Sequence, residues 1–315
     1  MPADRPEQLT RETWPIGAAM LQFPGTLPDG SSTQDQSAEG WAATLAEVVD
    51  AGFDRVDPYD SWLRIADLGA ARLEEFRGVL ADVGLQVSAV SLSRRSVADP
   101  EHGEENLAYT HRAIDAAAAV GASVLNTGFF RALTPAQREA LWFWTAPGAV
   151  DDDDPDVRGV AVARVQELGR HAAEVGLALS LEIYEDTYLG TADRAVAFVT
   201  DVGLDAVGLN PDLGNLLRLL RPVERWDAMA AKVMPHANFW HVKNYLRSED
   251  AATGTVVTAP APLELGVMDY RRAVRMAVDA GFRGPITCEH YGGDGLSVSA
   301  TNRDYLRRVL PRRTS

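Results

Sequence analysis

The four-residue joint Asp50-Ala51-Gly52-Phe53 recurs as Asp82-Val83-Gly84-Leu85, Ala119-Val120-Gly121-Ala122, Glu174-Val175-Gly176-Leu177, Asp201-Val202-Gly203-Leu204 and Asp279-Ala280-Gly281-Phe282. Each joint closes an amphipathic helical stretch and opens an apolar one. A glycine just past the last helical residue supplies the left-handed backbone that stops a helix and turns the chain. Six such joints mean one βα unit used repeatedly, the pattern of an α/β protein with a parallel sheet. Strand patterns lie near 17–23, 53–58, 85–92, 122–128, 177–184, 205–211, 238–244 and 285–290. Helical patterns lie near 39–51, 71–83, 104–120, 157–175, 192–202, 222–234, 268–280 and 302–310. Eight alternating units in 315 residues, somewhat above the typical length of about 250, predict a (β/α)8 barrel with insertions. The alternative is an open doubly wound sheet, but no Gly-x-Gly-x-x-Gly follows the first strand. No composition shift or linker divides the chain, so one domain is expected over 1–315, with 1–15 as an N-terminal extension.

Two stretches exceed ordinary loop length. Residues 129–156 follow strand four and contain Leu141-Trp142-Phe143-Trp144, then four acids, Asp151 to Asp154, ahead of Pro155. Pro in a first helical turn with acids at the positive end of the dipole reads as a helix start rather than a cation site. The aromatic run, with Trp142 and Trp144, reads as a lid over a substrate, a partner interface, or packing within the insertion. Residues 246–266, polar and then Pro-rich, follow strand seven. Both insertions follow strands and so belong to the C-terminal face, where barrel active sites lie.

Four consecutive strands each end in a candidate ligand. In Ala178-Leu179-Ser180-Leu181-Glu182-Ile183 the leucines and Ile183 share the helix-facing parity, and Glu182 shares the other with Ala178 and Ser180. Asp212 ends strand six on the parity of its small residues. On strand seven, Asn238-Phe239-Trp240-His241-Val242-Lys243-Asn244, His241 and Lys243 point the same way, and on strand eight Glu289 aligns with Thr287. Three carboxylates and an imidazole converging in a barrel mouth repel one another unless a cation joins them. Oxygen-rich ligands with one histidine suit Mn²⁺, Mg²⁺ or Co²⁺ better than a closed structural zinc site.

Composition narrows the partners. A net charge of −15 argues against nucleic acid. Cys288 is the only cysteine, which leaves no intrachain disulfide and no cysteine-based zinc site. The polar start of the chain and a short first apolar run, Ile16 to Phe23, point to a cytoplasmic protein with no membrane partner. Of 30 basic residues only Lys232 and Lys243 are lysine, so Lys243, two residues after His241, suggests a task a guanidinium does poorly.

The stretches LEIYEDTYLGT with Glu182, GLNPDLGN with Asp212, FWHVKN with His241, and GVMDYRRAV followed by GFRGPITCEHY with Glu289 resemble the xylose isomerase-like TIM barrels grouped as sugar-phosphate isomerases and epimerases. The resemblance runs from the first strand to Glu289. It implies that Glu182, Asp212, His241 and Glu289 bind one divalent metal, commonly Mn²⁺, with Mg²⁺, Co²⁺ or Zn²⁺ as alternatives, and that the substrate is a sugar or sugar derivative. Many ketose epimerases of this kind carry Asp-x-x-His on strand six, whereas this chain has Asp212-Leu213-Gly214-Asn215. An amide cannot serve as acid or base, so Asn215 fits members in which it orients a substrate hydroxyl.

Such residues support proton abstraction beside a carbonyl, with Glu182 and Glu289 as base and acid and Lys243 stabilising an oxyanion. Glu185, His290 and Tyr291 are candidates for substrate contact or for supporting the ligands. On strand two, Asp57 and Tyr59 are candidates to reach substrate. Reprotonation gives isomerisation or epimerisation; loss of a β-substituent gives dehydration, or cleavage of a 3-oxo-glycoside as in C-glycoside-deglycosylating relatives. There a small partner subunit completes the enzyme, which would make the Trp142–Trp144 cluster its docking site; a homo-oligomer is the other assembly. Endonuclease IV has a related barrel, but it needs more histidines and a basic face, and a non-catalytic sugar-binding barrel is the remaining reading.

Overall fold

The computed structural model describes residues 9–312, so residues 1–8 of the expected extension lie outside it. All six joint glycines adopt positive φ, from +63° at Gly203 to +93° at Gly281. Each helix therefore stops where an L side chain would be strained, and the chain drops into the next strand.

Eight barrel staves follow: Ile16–Ala19, Arg55–Asp57, Gln86–Val87 continued as Ala89–Ser91, Val124–Thr127, Ala178–Glu182, Val207–Asn210, Trp240–Val242 and Ile286–Cys288. Every ladder between them is parallel, and the eighth strand pairs with both the first and the seventh. The third stave breaks at Ser88: Gln86–Val87 pairs with strand two and Ala89–Ser91 with strand four. The isolated parallel bridges Tyr59–Ser91 and Leu209–Ala237 join the two curved sheets. The result is the expected (β/α)8 TIM barrel.

Alternation along the staves sorts side chains by depth. Leu179, Leu181, Ile183, Trp240 and Val242 point outward into the large apolar core shared with the helices. Inside, Ala89, Val124 and Phe239 form a small apolar floor with Ala178. Farther along, Ser91, Asn126, Ser180, Asn210, His241 and Thr287 are fully buried in the bore. His241 sits edge-on to Phe239, with ring centroids 4.8 Å apart. An apolar floor below polar groups rigidifies them without offering competing hydrogen bonds.

Seven of the eight expected helices appear within a few residues of their expected limits: Ala38–Asp50, Ala70–Asp82, Gly103–Ala119, Pro155–Glu174, Ala192–Val202, Trp226–Val233 and Tyr270–Asp279. The eighth begins at Gly295, seven residues before the expected 302, because the Asp294 side chain accepts the Ser297 amide and caps it there. Strand one ends at Ala19 and turns into a 3-10 helix instead of running to 23. The 246–266 insertion is an antiparallel hairpin, Asn244–Glu249 against Val256–Ala261, which strand patterning did not separate from strand seven. In 129–156 a helix at Pro135–Glu139 and a 3-10 turn at Phe143–Thr145 precede Asp154, which caps the helix opened by Pro155. The acidic run is thus a helix start, and Asp151 within it is buried against Arg131 and the Tyr188 amide. Among the described residues, no helix is long and apolar enough to cross a membrane.

Candidate metal centre

At the C-terminal ends of strands five to eight, Glu182, Asp212, His241 and Glu289 meet. One ligand atom from each lies within 4.8 Å of the others, and all four residues are at most 3% exposed. His241 Nδ1 is 3.3 Å from Glu182 Oε2 and 3.4 Å from Glu289 Oε2. Ligands about 2.1 Å from an octahedral ion are about 3.0 Å apart when adjacent and about 4.2 Å when opposite, so the cluster is a few tenths of an ångström looser than a loaded site.

The hydrogen bonds turn particular atoms toward this shared point. His241 Nε2 is 3.0 Å from Asp57 Oδ2, and the buried Nδ1 has no hydrogen-bond partner among the described residues. A carboxylate at Nε2 selects the tautomer with its proton there, leaving the Nδ1 lone pair for a cation. Glu182 accepts from Asn126 Nδ2 and Asn215 Nδ2, each at 2.9 Å. Lys243 Nζ donates to Glu289 Oε1 at 2.7 Å and lies 2.7 Å from Asp212 Oδ2 as an ion pair without hydrogen-bond alignment. Both Asp212 oxygens and Glu289 Oε2 remain buried without hydrogen-bond partners among the described residues.

Charge makes the same point. Glu182, Asp212, Glu289 and Asp57 are four buried carboxylates served by one ammonium. Burial pushes the Glu182 carboxyl up, but His241, Lys243 and Asn126 outweigh it and hold it down at about 2. Asp212 goes the other way, up to about 7: burial and the charges of Glu289 and Glu182 overcome the adjacent Lys243. Burial lowers the His241 pKa, yet Glu182, Asp57 and Glu289 drive it well above the ordinary value. Such a cluster, without an ion, must recruit protons; a divalent cation supplies the missing charge and suits hard oxygen donors with one nitrogen.

The remaining expected residues divide by depth. Asp57, fully buried, accepts from Ser91 Oγ at 2.8 Å and lies 3.0 Å from His241 Nε2. Tyr59 stacks on the imidazole, with centroids 6.0 Å apart. Asn215 donates its amide group to Glu182 and to Ile183 O, leaving its buried Oδ1 without a partner among the described residues. Glu185 is bound to Arg218 at 2.8 and 2.9 Å. His290 and Tyr291 are half-buried, and the Tyr291 ring is 5.2 Å from Lys243 Nζ. Trp142 stacks on Trp144, and Trp144 meets Tyr245 and Tyr291 edge-on at 5.7 and 5.3 Å. The insertion's aromatic run therefore packs across the mouth and not only upon itself.

Sequence reasoning missed Asn126, Asn210 and Ser91. Asn210 joins Asn126 to the His241 amide, and Asn126 joins Ser91 to Glu182. Each lies on the inward parity, which was the available signal. Replacing Asp57 by Asn is expected to weaken divalent-metal affinity by about 10–100-fold, since it disturbs the tautomer rather than a ligand. Metal titration against a competing chelator checks this; unchanged affinity would show that the imidazole needs no such support.

A parallel barrel with three carboxylates and an imidazole gathered at its mouth belongs to the class of barrels able to hold a divalent metal ion. More narrowly, the chain belongs to the xylose isomerase-like TIM barrel family, whose model matches residues 45–309. A xylose isomerase-like TIM barrel protein from Mycobacterium smegmatis, crystallised in complex with magnesium, is 52% identical, superposes with a TM-score of 0.92, and is matched over 96% of this chain and 98% of that one. At the level of fold alone, a D-allulose 3-epimerase from Methylomonas sp. is 19% identical (TM-score 0.64; 95% of this chain and 91% of that one). A 3-keto-D-glucoside 4-epimerase from E. coli is 15% identical (TM-score 0.63; 94% and 99%). No curated protein matches the sequence.

Proposed function

We propose that the protein is a divalent-metal-dependent enzyme of the isomerase or epimerase type that acts on a sugar or sugar derivative by moving a proton beside a carbonyl. The observation that carries this reading is the buried Glu182, Asp212, His241 and Glu289 cluster, with its unpartnered acceptor atoms at the mouth of the barrel. These four would hold the ion, Mn²⁺ or Mg²⁺ by donor type; the relative's magnesium complex supports the choice of class. When bound, the ion supplies Lewis-acid polarisation of a substrate carbonyl and its neighbouring hydroxyl.

The chain's own groups do the rest. Glu182 and Glu289 each bring a carboxylate oxygen within 3.4 Å of His241 Nδ1, and in this reading the two carboxylates flank one substrate carbon. One accepts the proton from that carbon and the other returns one, while the electron pair shifts to the carbonyl oxygen. Lys243, paired to Glu289, is the nearby cation that meets the charge growing there. Tyr59, Tyr291 and Trp144 supply apolar walls that exclude water from the exchange.

Incubation of the metal-loaded protein with ketoses and 3-oxo-glycosides in deuterium oxide tests the reading. Deuterium is expected at the carbon next to the carbonyl of recovered substrate or its epimer, by mass spectrometry or proton NMR. A released leaving group would instead indicate elimination. A metal-loaded protein that exchanges no proton with any of them is a binding barrel.

A further inference from the structure

Arg218 is the anomaly of the mouth. It is 0% exposed, only its Nη2 is hydrogen-bonded by a side chain, to Glu185, and its Nε and Nη1 have no partner among the described residues. Four rings surround the guanidinium: Phe143, Trp144, Tyr184 and Tyr291, with centroids 4.8 to 5.9 Å from Cζ. Tyr245, which meets Trp144 edge-on, also buries a hydroxyl with no partner among the described residues. Glu185 meets the charge of Arg218, but a buried donor without an oxygen acceptor still carries a desolvation cost, which a visiting oxyanion would relieve.

A second guanidinium shares two of those rings. Arg94 Cζ lies 4.8 Å from the Phe143 centroid and 5.4 Å from that of Tyr184. Its backbone is left-handed, φ +58°, an unfavourable state for a long side chain that tends to persist where function needs it. Arg94 Nη1 is held by Tyr184 Oη at 2.9 Å and Arg131 O at 3.3 Å. Arg94 lines a cavity of about 380 Å³ whose walls include Trp144, Tyr184 and Glu185, the last two following the ligand Glu182 by two and three residues. The cavity's other arginines are matched, Arg131 to Asp151 and Arg221 to Asp186, and Arg218, which does not line it, is matched to the lining Glu185. Arg94 has no carboxylate partner among the described residues, so the cavity carries one uncompensated positive charge in a protein of net charge −15.

We propose that Arg94 and Arg218, with the Tyr245 hydroxyl, form an anion-binding subsite for a carboxylate or phosphate on the arm of the substrate remote from the metal centre. The substrate is then an acidic sugar derivative rather than a neutral sugar. Planar guanidinium forks suit both oxyanions, and the low-dielectric aromatic surround strengthens the contact. Phe143 and Trp144 lie against the Arg218 guanidinium, so in this proposal the Phe143–Thr145 turn yields as the anion enters. This assignment rests on the metal-centre reading given above for the substrate's class, but not for the anion contact itself.

Calorimetric titration of the full-length, magnesium-loaded protein with D-fructose, D-fructose 6-phosphate and D-fructuronate separates the cases. At least one charged probe is expected to bind about tenfold tighter than D-fructose, and which one does so distinguishes phosphate from carboxylate. Arg94→Met, at a partly exposed site, is expected to abolish that discrimination, and Arg218→Lys to weaken it even if Arg218→Met fails to fold. Charged probes that bind no better than D-fructose, or not at all, overturn the subsite, as does discrimination that survives both substitutions. Elemental analysis of the same samples keeps the two readings apart. Charge discrimination in a protein that takes up no metal leaves the subsite standing and sinks the proposed chemistry, whereas a metal-loaded protein blind to charge does the reverse.

Discussion

Glu289→Gln is expected to cost the protein its divalent ion and, with it, at least a 1,000-fold loss of any metal-dependent turnover (order of magnitude). Glu289 is 1% exposed, its Oε2 is unpartnered 3.4 Å from His241 Nδ1, and its Oε1 receives Lys243. Glutamine keeps the shape and removes the charge. Its amide must present an NH₂ either to the ammonium or toward the cation, and both contacts are repulsive. Metal affinity should therefore fall by about 100-fold or more, beyond the range typical of groups that only orient a ligand. Glu182→Gln is the less clean variant, because the Glu182 oxygens accept from Asn126 and Asn215, and an introduced NH₂ would clash with one of those donors. Elemental analysis after dialysis, with a metal titration, reads the result. One equivalent of metal retained at wild-type affinity would remove Glu289 from the centre.

Lys243→Met should destabilise the metal-free protein by about 3–5 kcal/mol, the usual cost of stripping one partner from a buried ion pair. The ammonium is 2% exposed and serves both Asp212 and Glu289 at 2.7 Å. Methionine fills the stem's volume but leaves Asp212 and Glu289 without the ammonium, beside a third carboxylate in Glu182. The same loss removes a cation that competes with the metal. Added Mg²⁺ or Mn²⁺ should then stabilise the variant more than the wild type; at 100 times Kd the ligand term alone is about 2.7 kcal/mol. Chemical denaturation with and without metal measures both effects. A loss below about 1 kcal/mol with no larger metal-induced gain would mean that Lys243 is not the standing counter-ion of the cluster.

The four clustered residues were legible for a specific reason. In a buried strand of alternating parity, a carboxylate on the inward face has no solvent to meet, so Glu182, Asp212 and Glu289 stand out even singly. Asn126 and Asn210 obeyed the same parity but carry no charge, and an inward amide does not by itself announce a partner. Asp57 was visible as a candidate but not by its partner: only the ring of strands places its carboxylate beside His241 Nε2. Glu185 and Arg218 lie 33 positions apart on connections with no period to read. The hairpin at 244–261 was hidden because its first strand follows the seventh stave almost without interruption.

By itself, the sequence determined the repeat, the barrel and the four residues facing its mouth, because helix termination and strand alternation are local rules obeyed residue by residue. Only the tertiary structure decided which atom of each side chain lacks a partner among the described residues, that Lys243 stands between Asp212 and Glu289, and that Arg94 and Arg218 lie over the same two rings. Those are distances between separate loops, set by how the barrel closes and packs, and no local pattern encodes them.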